Sequence, residues 1–368
     1  MSVKTAAHVP ASDLSRCCNV LDFEAIARGR MEQAHYDYYA GGAEDEVTLA
    51  ANRDAFAEVF LRPRVLVDVS HTETKTTVLG TPVSIPVLVA PTAFHRLAHA
   101  EGELATARGA GTAGTLMVVS TIATFPLEEI AAAATGPLWF QLYVYKDRSL
   151  ARNLIRRAEK AGYRALCLTV DTPHLGCRER DLRNEFTLPE GMGLRNFEDI
   201  GVDAASLGDS FHSYVHRQLD CSLTWEAVEW LRSETRLPLL LKGIIRPEDA
   251  RMAVERGVDG IVVSNHGGRQ LDGTEPTLRA LPRVAEAVAG RAEVYMDGGV
   301  RRGTDVIKAV ALGARAVLVG RPCLWGLAAA GDQGVARVLE MLRQELALGM
   351  ALCGCPDVSA IDRSLIAS

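Results

Sequence analysis

Short apolar runs alternate with longer amphipathic stretches along most of the chain, from residue 87 onward. The apolar runs cover 87–90, 116–120, 139–144, 165–171, 237–242, 260–264, 293–297 and 316–320. They are almost continuously hydrophobic, which is typical of parallel strands covered on both faces. The intervening stretches have helical spacing, clearest at 149–161, 247–256, 278–289 and 303–312. Prolines at 126 and 247 suit helix starts, and glycines at 162, 257 and 313 suit helix ends.

Eight strand–helix units in sequence predict an α/β protein built as a (β/α)8 TIM barrel. The alternative is a doubly wound open sheet, but no Gly-x-Gly-x-x-Gly motif follows the first strand. We expect one domain over 1–368. Residues 1–85 form an N-terminal helical extension that closes the bottom of the barrel, 86–330 form the barrel, and 331–368 form a C-terminal helix and tail.

The connection after the fourth predicted strand is unusually long, running from residue 172 to residue 221. It is rich in Gly, Asp, Asn and Arg. Connections of this length inside a compact domain are usually functional or disordered. We therefore predict an active-site lid whose middle is mobile.

Composition narrows the possible partners. The net charge of −6 argues against nucleic acid or an anionic membrane as the main partner. No stretch has the length and hydrophobicity of a membrane span or a signal-peptide core, and the final residues do not form a Ser-Lys-Leu type peroxisomal signal. The eight cysteines lack the spacing of a metal site, so we expect reduced thiols, no metal and a cytoplasmic location.

The segment 264–273, with the sequence SNHGGRQLDG, carries the clearest chemistry in the chain. His266 can take a proton near neutral pH, and Arg269 can hold a carboxylate through two parallel hydrogen bonds. Gly267 and Gly268 let the backbone approach a flat ligand closely. The segment suggests proton abstraction next to a carboxylate. A solvated loop whose histidine caps a strand fits this motif equally well.

Polar or small residues also follow each of the remaining predicted strands. They are Pro91, Thr92, Ala93, Ser120, Gln141, Tyr143, Thr169, Asp171, Lys242, Asp297, Gly298, Gly299, Gly320 and Arg321. Each could have a purely structural role, but the strand ends of a barrel meet at one mouth, which favours a single polar site. The glycine–arginine segments after the last two strands, at 297–303 and 320–321, are typical of phosphate binding.

Taken together, these motifs resemble the FMN-dependent (S)-2-hydroxy acid oxidases, the family of glycolate and lactate oxidases. The resemblance runs from YDYYAGGAED at 36–45 to MALCGC at 350–355. Its most specific pieces are QLYVYKD at 141–147, LTVDTP at 168–173, SNHGGRQLD at 264–272 and the segment 297–305.

The resemblance implies a role for each matched residue. His266 would be the base, steadied by Asp171; Arg178, Arg269 and the Tyr38 hydroxyl would hold the substrate carboxylate, and Tyr143 the substrate oxygen. Lys242 would lie beside the flavin N1–O2 edge. The isoalloxazine would be held by Pro91, Thr92, Ala93, Ser120, Gln141, Thr169 and Ser264. The ribityl chain would contact Asp297, and the phosphate would contact Gly298, Gly299, Val300, Arg301, Gly320 and Arg321. A homotetramer is also implied.

The implied reaction converts a 2-hydroxy acid to a 2-oxo acid, with oxygen as electron acceptor and hydrogen peroxide as product. One alternative is a dehydrogenase of the same family that uses a quinone or a protein acceptor. Its membrane insert or haem domain is not expected here, because the long connection is polar at 183–185 and 196–199 and the N-terminal extension is short. Further alternatives are a non-redox barrel for a phosphorylated metabolite and, with least support, a binding module.

Ile122 departs from the glycolate oxidase pattern, which has a tryptophan at this place. In the family this side chain lines the pocket beside the C3 end of the substrate. A branched aliphatic residue opens space and keeps the wall apolar, so we expect lactate or longer (S)-2-hydroxy acids to be better substrates than glycolate. Alternatively, Phe94, Phe125 or a lid residue from 189–220 refills the space.

Overall fold

The central element is a closed barrel of eight parallel strands, as the sequence predicts. The computed structural model describes residue 14, residues 16–200 and residues 219–367. A hairpin of β1 (Thr76–Val78) and β2 (Thr81–Val83) precedes the barrel. The barrel strands are β3 (Val87–Val89), β4 (Met117–Ser120), β5 (Leu138–Leu142), β6 (Leu166–Thr169), β7 (Leu239–Ile244), β8 (Gly260–Val263), β9 (Glu293–Asp297) and β10 (Ala316–Val319). Neighbours along the chain pair with each other, and β10 closes the ring against β3.

Helices surround the barrel and precede it. Those before the barrel are α1 (Val20–Arg30), α2 (Gln33–Ala40) and α3 (Val47–Glu58). The others are α4 (Gly102–Thr112), α5 (Leu127–Ala133), α6 (Arg148–Lys160), α7 (Glu179–Arg183), α8 (Glu226–Glu234), α9 (Pro247–Glu255), α10 (Thr277–Val288), α11 (Gly303–Ala311) and α12 (Arg321–Leu352). Short 3-10 helices lie at His95–Leu97, Arg195–Ile200, Val358–Ala360 and Arg363–Leu365.

A side-chain cap and glycines with positive φ explain the predicted helix boundaries. Asp147 caps α6 by accepting a hydrogen bond from the Ser149 N–H at 2.8 Å. The glycines predicted to end α6, α9 and α11 have φ of +85°, +71° and +109°, a backbone region that favours glycine. Within α12 the helix breaks at Ala330 and Gly331, so its second part begins where the C-terminal helix was predicted.

Side chains alternate between the outer and inner faces of each barrel strand, so the core has two layers. The outward side chains pack against the helices in the larger apolar cluster. The inward side chains fill the barrel, with Leu88, Val118, Trp139, Tyr295 and Leu318 among them. At the carboxyl ends the inward row becomes polar: Ser120 pairs in register with Gln141, and Thr169 with Lys242. The barrel floor is therefore apolar, and its mouth is polar.

The N-terminal extension covers both ends of the barrel, whereas the sequence predicted that it closes only the bottom. The β1–β2 hairpin does close the bottom, where Val78 and Val83 join the inner apolar layer. The helices lie at the opposite end: Tyr38 of α2 lines the mouth cavity, and Asn52 of α3 forms a reciprocal amide pair with Asn265, at 2.9 Å for each bond. This correction could not come from local periodicity, because the partners are far apart in sequence.

The start of the predicted lid packs on these helices. Asn184 donates to Asp37 at 2.9 Å, and Arg180 forms an ion pair with Glu46 at 2.5 Å. The predicted mobile middle falls within 201–218, outside the described residues. Among the helices of the described ranges, none combines the length and apolar character needed to cross a membrane.

Candidate active site

A cavity of about 1000 Å³ opens at the carboxyl ends of the barrel strands. It is lined by most of the predicted site residues, namely Tyr38, Pro91, Thr92, Ala93, Ser120, Ile122, Tyr143, Arg178, Lys242, His266, Arg269, Asp297, Gly298, Gly299, Val300, Arg301, Gly320 and Arg321. These residues come from helix α2, from the ends of every barrel strand except β6, and, in the case of Arg178, from the connection that follows β6. One cavity therefore gathers side chains whose sequence positions span most of the chain.

The predicted base, His266, lines this cavity and contacts its predicted partner, Asp171. His266 Nδ1 is 2.9 Å from Asp171 Oδ1. Burial raises the pKa of Asp171, but His266 and Lys242 more than offset this, so that the pKa lies below its ordinary value. Burial lowers the pKa of His266 more than Asp171 raises it. The pair at neutral pH is therefore a neutral imidazole beside a carboxylate, and the other ring nitrogen can accept a proton.

The backbone at His266 is held in an unusual conformation. His266, Gly267 and Gly268 have φ of +58°, +67° and +76°. A Cβ on Gly268 would come within 2.6 Å of the Leu49 nitrogen, so this position requires glycine. Two hydrogen bonds hold the turn, from the His266 N–H to Ser264 Oγ at 3.1 Å and from the Gly268 N–H to the Asn265 carbonyl at 3.1 Å. A left-handed non-glycine residue is the kind of strain found at functional sites.

Lys242 is a buried cation between two acceptors. Its Nζ lies 3.1 Å from Asp297 Oδ2 and 2.9 Å from Ser264 Oγ. Burial lowers the pKa of Lys242, but Asp297 and Asp171 raise it above the ordinary value. The ammonium group is therefore permanently charged and held against the cavity wall.

Four arginines bring further positive charge to the cavity: Arg178, Arg269, Arg301 and Arg321. Within the described ranges, none of them forms an ion pair with a carboxylate. Arg269 Nη1 instead donates to the carbonyls of Tyr38 and Gly41, at 2.6 and 2.9 Å, where α2 ends. Burial lowers the pKa of both Arg269 and Arg301 to about 10, so both remain protonated at neutral pH. Buried cations without acidic partners favour anionic ligands.

One end of the cavity fits a phosphate and a hydroxylated chain. Asp297 Oδ1 and Arg301 Nε are both buried and have no hydrogen-bond partner in the described residues. Gly298 and Gly299 turn the backbone with φ of +93° and +86°. Arg321 begins α12 and lines the same cavity. One spare carboxylate oxygen, which accepts, and two guanidinium groups, which donate, suit the ribityl hydroxyls and phosphate of FMN.

Four predicted site residues do not line the cavity: Gln141, Ser264 and Asp171 each contact a residue that does, and Thr169 contacts Gln141. Gln141 contacts Ser120 through its Oε1 at 3.3 Å and donates to Thr169 at 3.0 Å; Ser264 contacts Lys242, and Asp171 contacts His266. Sequence reasoning missed lining residues Tyr39, Ala90, Leu175, Leu318, Val319 and Leu324, whereas Gly267 was expected to let a ligand approach closely. For Tyr39, adjacency to Tyr38 was an available signal; Leu175 has no distinguishing signal inside the long polar connection.

Comparison with known proteins agrees with this geometry. The family model described as FMN-dependent dehydrogenase matches residues 27–368. Glycolate oxidase of Spinacia oleracea is 52% identical over 352 residues, covering 95% of each chain. L-lactate oxidase of a Nostoc species is 52% identical over 360 residues, covering 96% of this chain and 99% of the relative. A solved mandelate oxidase with (S)-4-hydroxymandelic acid superposes with a TM-score of 0.91 at 45% identity, covering 95% and 98%.

The family match spans nearly the whole chain, and the cavity supplies groups suited to each part of the cofactor. The cofactor predicted from the sequence is confirmed as FMN, and the chain is a flavoprotein oxidoreductase. The chain belongs to the FMN-dependent dehydrogenase family, in its branch of (S)-2-hydroxy acid oxidases.

Proposed function

We propose that this protein oxidises lactate or longer (S)-2-hydroxy acids in preference to glycolate and passes the electrons to oxygen, producing hydrogen peroxide. The observation that carries the reaction is the neutral His266, held by the Asp171 carboxylate, in the cavity that Arg178 and Arg269 also line. A base beside an anion site is what oxidation next to a carboxylate requires.

The proposed roles follow from the contacts. FMN, when bound, accepts the two electrons released by the hydroxy acid. His266 takes up a proton on its second nitrogen, and Asp171 stabilises the resulting imidazolium. Burial and the nearby Asp171 raise the pKa of Tyr143, so its hydroxyl stays protonated and can donate to the substrate oxygen. Lys242 supplies a fixed positive charge in the cavity that is proposed to hold FMN.

Arg178 and Arg269 are proposed to hold the substrate carboxylate. Arg269 Nη1 is occupied by backbone carbonyls, which leaves Nε and Nη2 to form the pair of parallel donors. Arg269 also stacks on the Tyr38 ring, with its guanidinium carbon 5.1 Å from the centroid. These contacts fix the orientation of the guanidinium before substrate arrives, which lowers the entropic cost of binding.

The test of the reaction is anaerobic mixing of the purified yellow protein with (S)-2-hydroxy acids. We expect the flavin absorption to bleach and then return on admission of air, with one hydrogen peroxide formed per substrate. Slow return in air together with fast turnover on quinone or ferricyanide would identify a dehydrogenase. Absence of bleaching with every hydroxy acid would refute the proposed reaction.

The preference for larger substrates rests on the apolar wall at Ile122. This side chain lines the cavity together with Leu175 and Tyr143. Two of the alternative refilling residues face elsewhere: Phe94 is fully buried against Tyr38, and Phe125 packs under the Arg96 guanidinium. Neither belongs to the cavity lining. The third alternative, a lid residue from 189–220, falls mostly outside the described residues. Relatives of similar identity differ in the substrate that they are named for: one is named an L-lactate oxidase and another a glycolate oxidase, while a solved mandelate oxidase holds an aromatic hydroxy acid.

We expect kcat/KM to rise from glycolate to lactate and 2-hydroxybutyrate, because each buried methylene contributes about 0.8 kcal/mol. Ile122→Trp should reverse this order by filling the space beside C3, while Ile122→Leu, a matched change of shape alone, should keep it. Steady-state kinetics over glycolate, lactate, 2-hydroxybutyrate, 2-hydroxyoctanoate and mandelate measure the ranking. A maximum at glycolate in the wild-type protein would contradict the proposal.

The pH dependence of flavin reduction should report His266. Because burial keeps the pKa of His266 below 6.5, the base is neutral above that pH, and reduction should slow only as the pH falls through this lowered pKa. Asp171→Asn removes the largest influence that raises the pKa, so the acid limb should move to lower pH while the plateau rate falls. Stopped-flow reduction from pH 4.5 to 8 measures both. An acid limb that moves upward would contradict the assignment.

We also propose a homotetramer in the cytoplasm. Large apolar side chains are exposed at Phe60, Val65, Leu66 and Leu352, as expected of a surface that another chain covers. None of the eight cysteines, all of which lie in the described ranges, forms a disulfide, which suits a reducing compartment. Light scattering on the eluting protein should give four chains; a monomer mass would refute the assembly. Cell fractionation tests the location, and recovery in an organelle fraction would refute it.

A further inference from the structure

A second buried histidine lies behind the cofactor wall, the segment 91–93 that lines the cavity. His95 is 1% exposed and begins the 3-10 helix that directly follows the lining residues Pro91, Thr92 and Ala93. Its Nε2 lies 2.6 Å from Thr92 Oγ1, and its Nδ1 lies 2.8 Å from Thr106 Oγ1 on α4. The proposed reaction uses none of these contacts.

The direction of each hydrogen bond follows from counting protons. The arrangement that satisfies both contacts of Thr106 Oγ1 has it donating to the Gly102 carbonyl at 3.2 Å and accepting from His95 Nδ1–H at 2.8 Å. Burial lowers the pKa of His95 more than Glu103 raises it, which leaves the ring neutral with one N–H. His95 Nε2 is then an acceptor, and the Thr92 hydroxyl donates to it.

The surrounding backbone is tied down at the same point. The buried Glu103 carboxylate accepts the His95 N–H at 3.1 Å and the Thr124 N–H at 2.9 Å. The loops that follow β3 and β4, which both wall the cavity, are thereby joined behind it. Phe94 has a left-handed φ of +57°, and its carbonyl accepts the Tyr39 hydroxyl at 2.5 Å. Hydrogen bonds therefore hold this segment on both sides. Because Thr92 contacts His95 and also lines the cavity, a substitution at His95 would change the cavity lining at Thr92.

We propose that His95 is a positioning residue for FMN. It holds the Thr92 hydroxyl so that the Thr92 oxygen is a hydrogen-bond acceptor at the cofactor wall. With its only proton committed to His95, Thr92 Oγ1 can offer only lone pairs to a ligand. An acceptor at this wall matches the N–H groups of the isoalloxazine, which are more numerous in the reduced ring. His95 therefore strengthens FMN binding and favours the reduced state. The inference rests on FMN as cofactor and is independent of the substrate.

The test compares His95→Leu with His95→Gln in apo-protein titrated with FMN by fluorescence quenching, without substrate. The glutamine side chain carries one acceptor and one donor group and can replace both imidazole contacts. We expect His95→Leu to raise the FMN dissociation constant about tenfold, the effect of one lost hydrogen bond, and to make the midpoint potential more negative. His95→Gln should restore most of both values.

Thr92→Val provides a matched second variant, since it removes the hydroxyl and keeps the shape. Its effect should not add to that of His95→Leu in the double variant, because both remove the same bond. Wild-type affinity and potential in His95→Leu, or a glutamine variant as impaired as the leucine variant, would overturn the proposal. If His95→Leu does not fold, Thr106→Val serves instead, with a severalfold rise in the dissociation constant expected and an unchanged constant overturning the proposal.

Discussion

His266→Gln should abolish flavin reduction by substrate while the protein stays yellow. Glutamine keeps a polar side chain of similar length but cannot take up a proton near neutral pH, and a general base contributes roughly two to four decades of rate. FMN should be retained because the cavity groups suited to its phosphate and ribityl chain, Asp297, Arg301 and Arg321, are untouched. Stopped-flow reduction under anaerobic conditions measures the rate, and the visible spectrum measures the bound cofactor.

The control for this variant is His71→Gln, which changes an exposed histidine of the N-terminal extension. It should reduce its flavin at the wild-type rate. Reduction of His266→Gln at a comparable rate would assign the base to another residue. Loss of the yellow colour would mean instead that His266 is needed to hold the cofactor, which the structure gives no reason to expect.

Arg269→Met should lower kcat/KM for hydroxy acids by about a hundredfold or more. The change removes a charge-assisted pair of donors to the carboxylate and with it the orientation of the reacting carbon. Because Arg269 also donates to the carbonyls at the end of α2, the thermal unfolding midpoint should fall as well. Arg269→Lys keeps the charge without the paired geometry, so it should fall between the wild type and the methionine variant.

Arg180→Met is the matched control for charge at the mouth. Arg180 forms its ion pair with Glu46 outside the cavity lining, so kcat/KM should stay within about twofold of the wild-type value. An Arg269→Met variant with near wild-type kcat/KM would show that the carboxylate is held elsewhere, with Arg178 the next candidate. A parallel loss in both variants would point to disruption of α2 rather than to the clamp.

The sequence by itself determined the barrel and the contents of its mouth. Both depend on local patterns, since hydrophobic periodicity defines strands and helices, and the carboxyl ends of parallel strands meet at one end of a barrel. Residues such as Lys242 and Asp297 could therefore be assigned to one site although 55 positions separate them, as their 3.1 Å contact confirms. The family motifs added a predicted role for each position, including the His266–Asp171 pair.

Only the tertiary structure decided what covers the site and what supports it from behind. The helices of the N-terminal extension lie at the mouth because Arg269 donates to the Tyr38 carbonyl 231 positions away and Asn52 pairs with Asn265, 213 positions away. No periodic pattern encodes such contacts, because they depend on how separate segments pack. The same holds for His95: its two hydrogen bonds, and the proton direction proposed for Thr92, depend on how the buried His95 and Thr106 pack against Thr92.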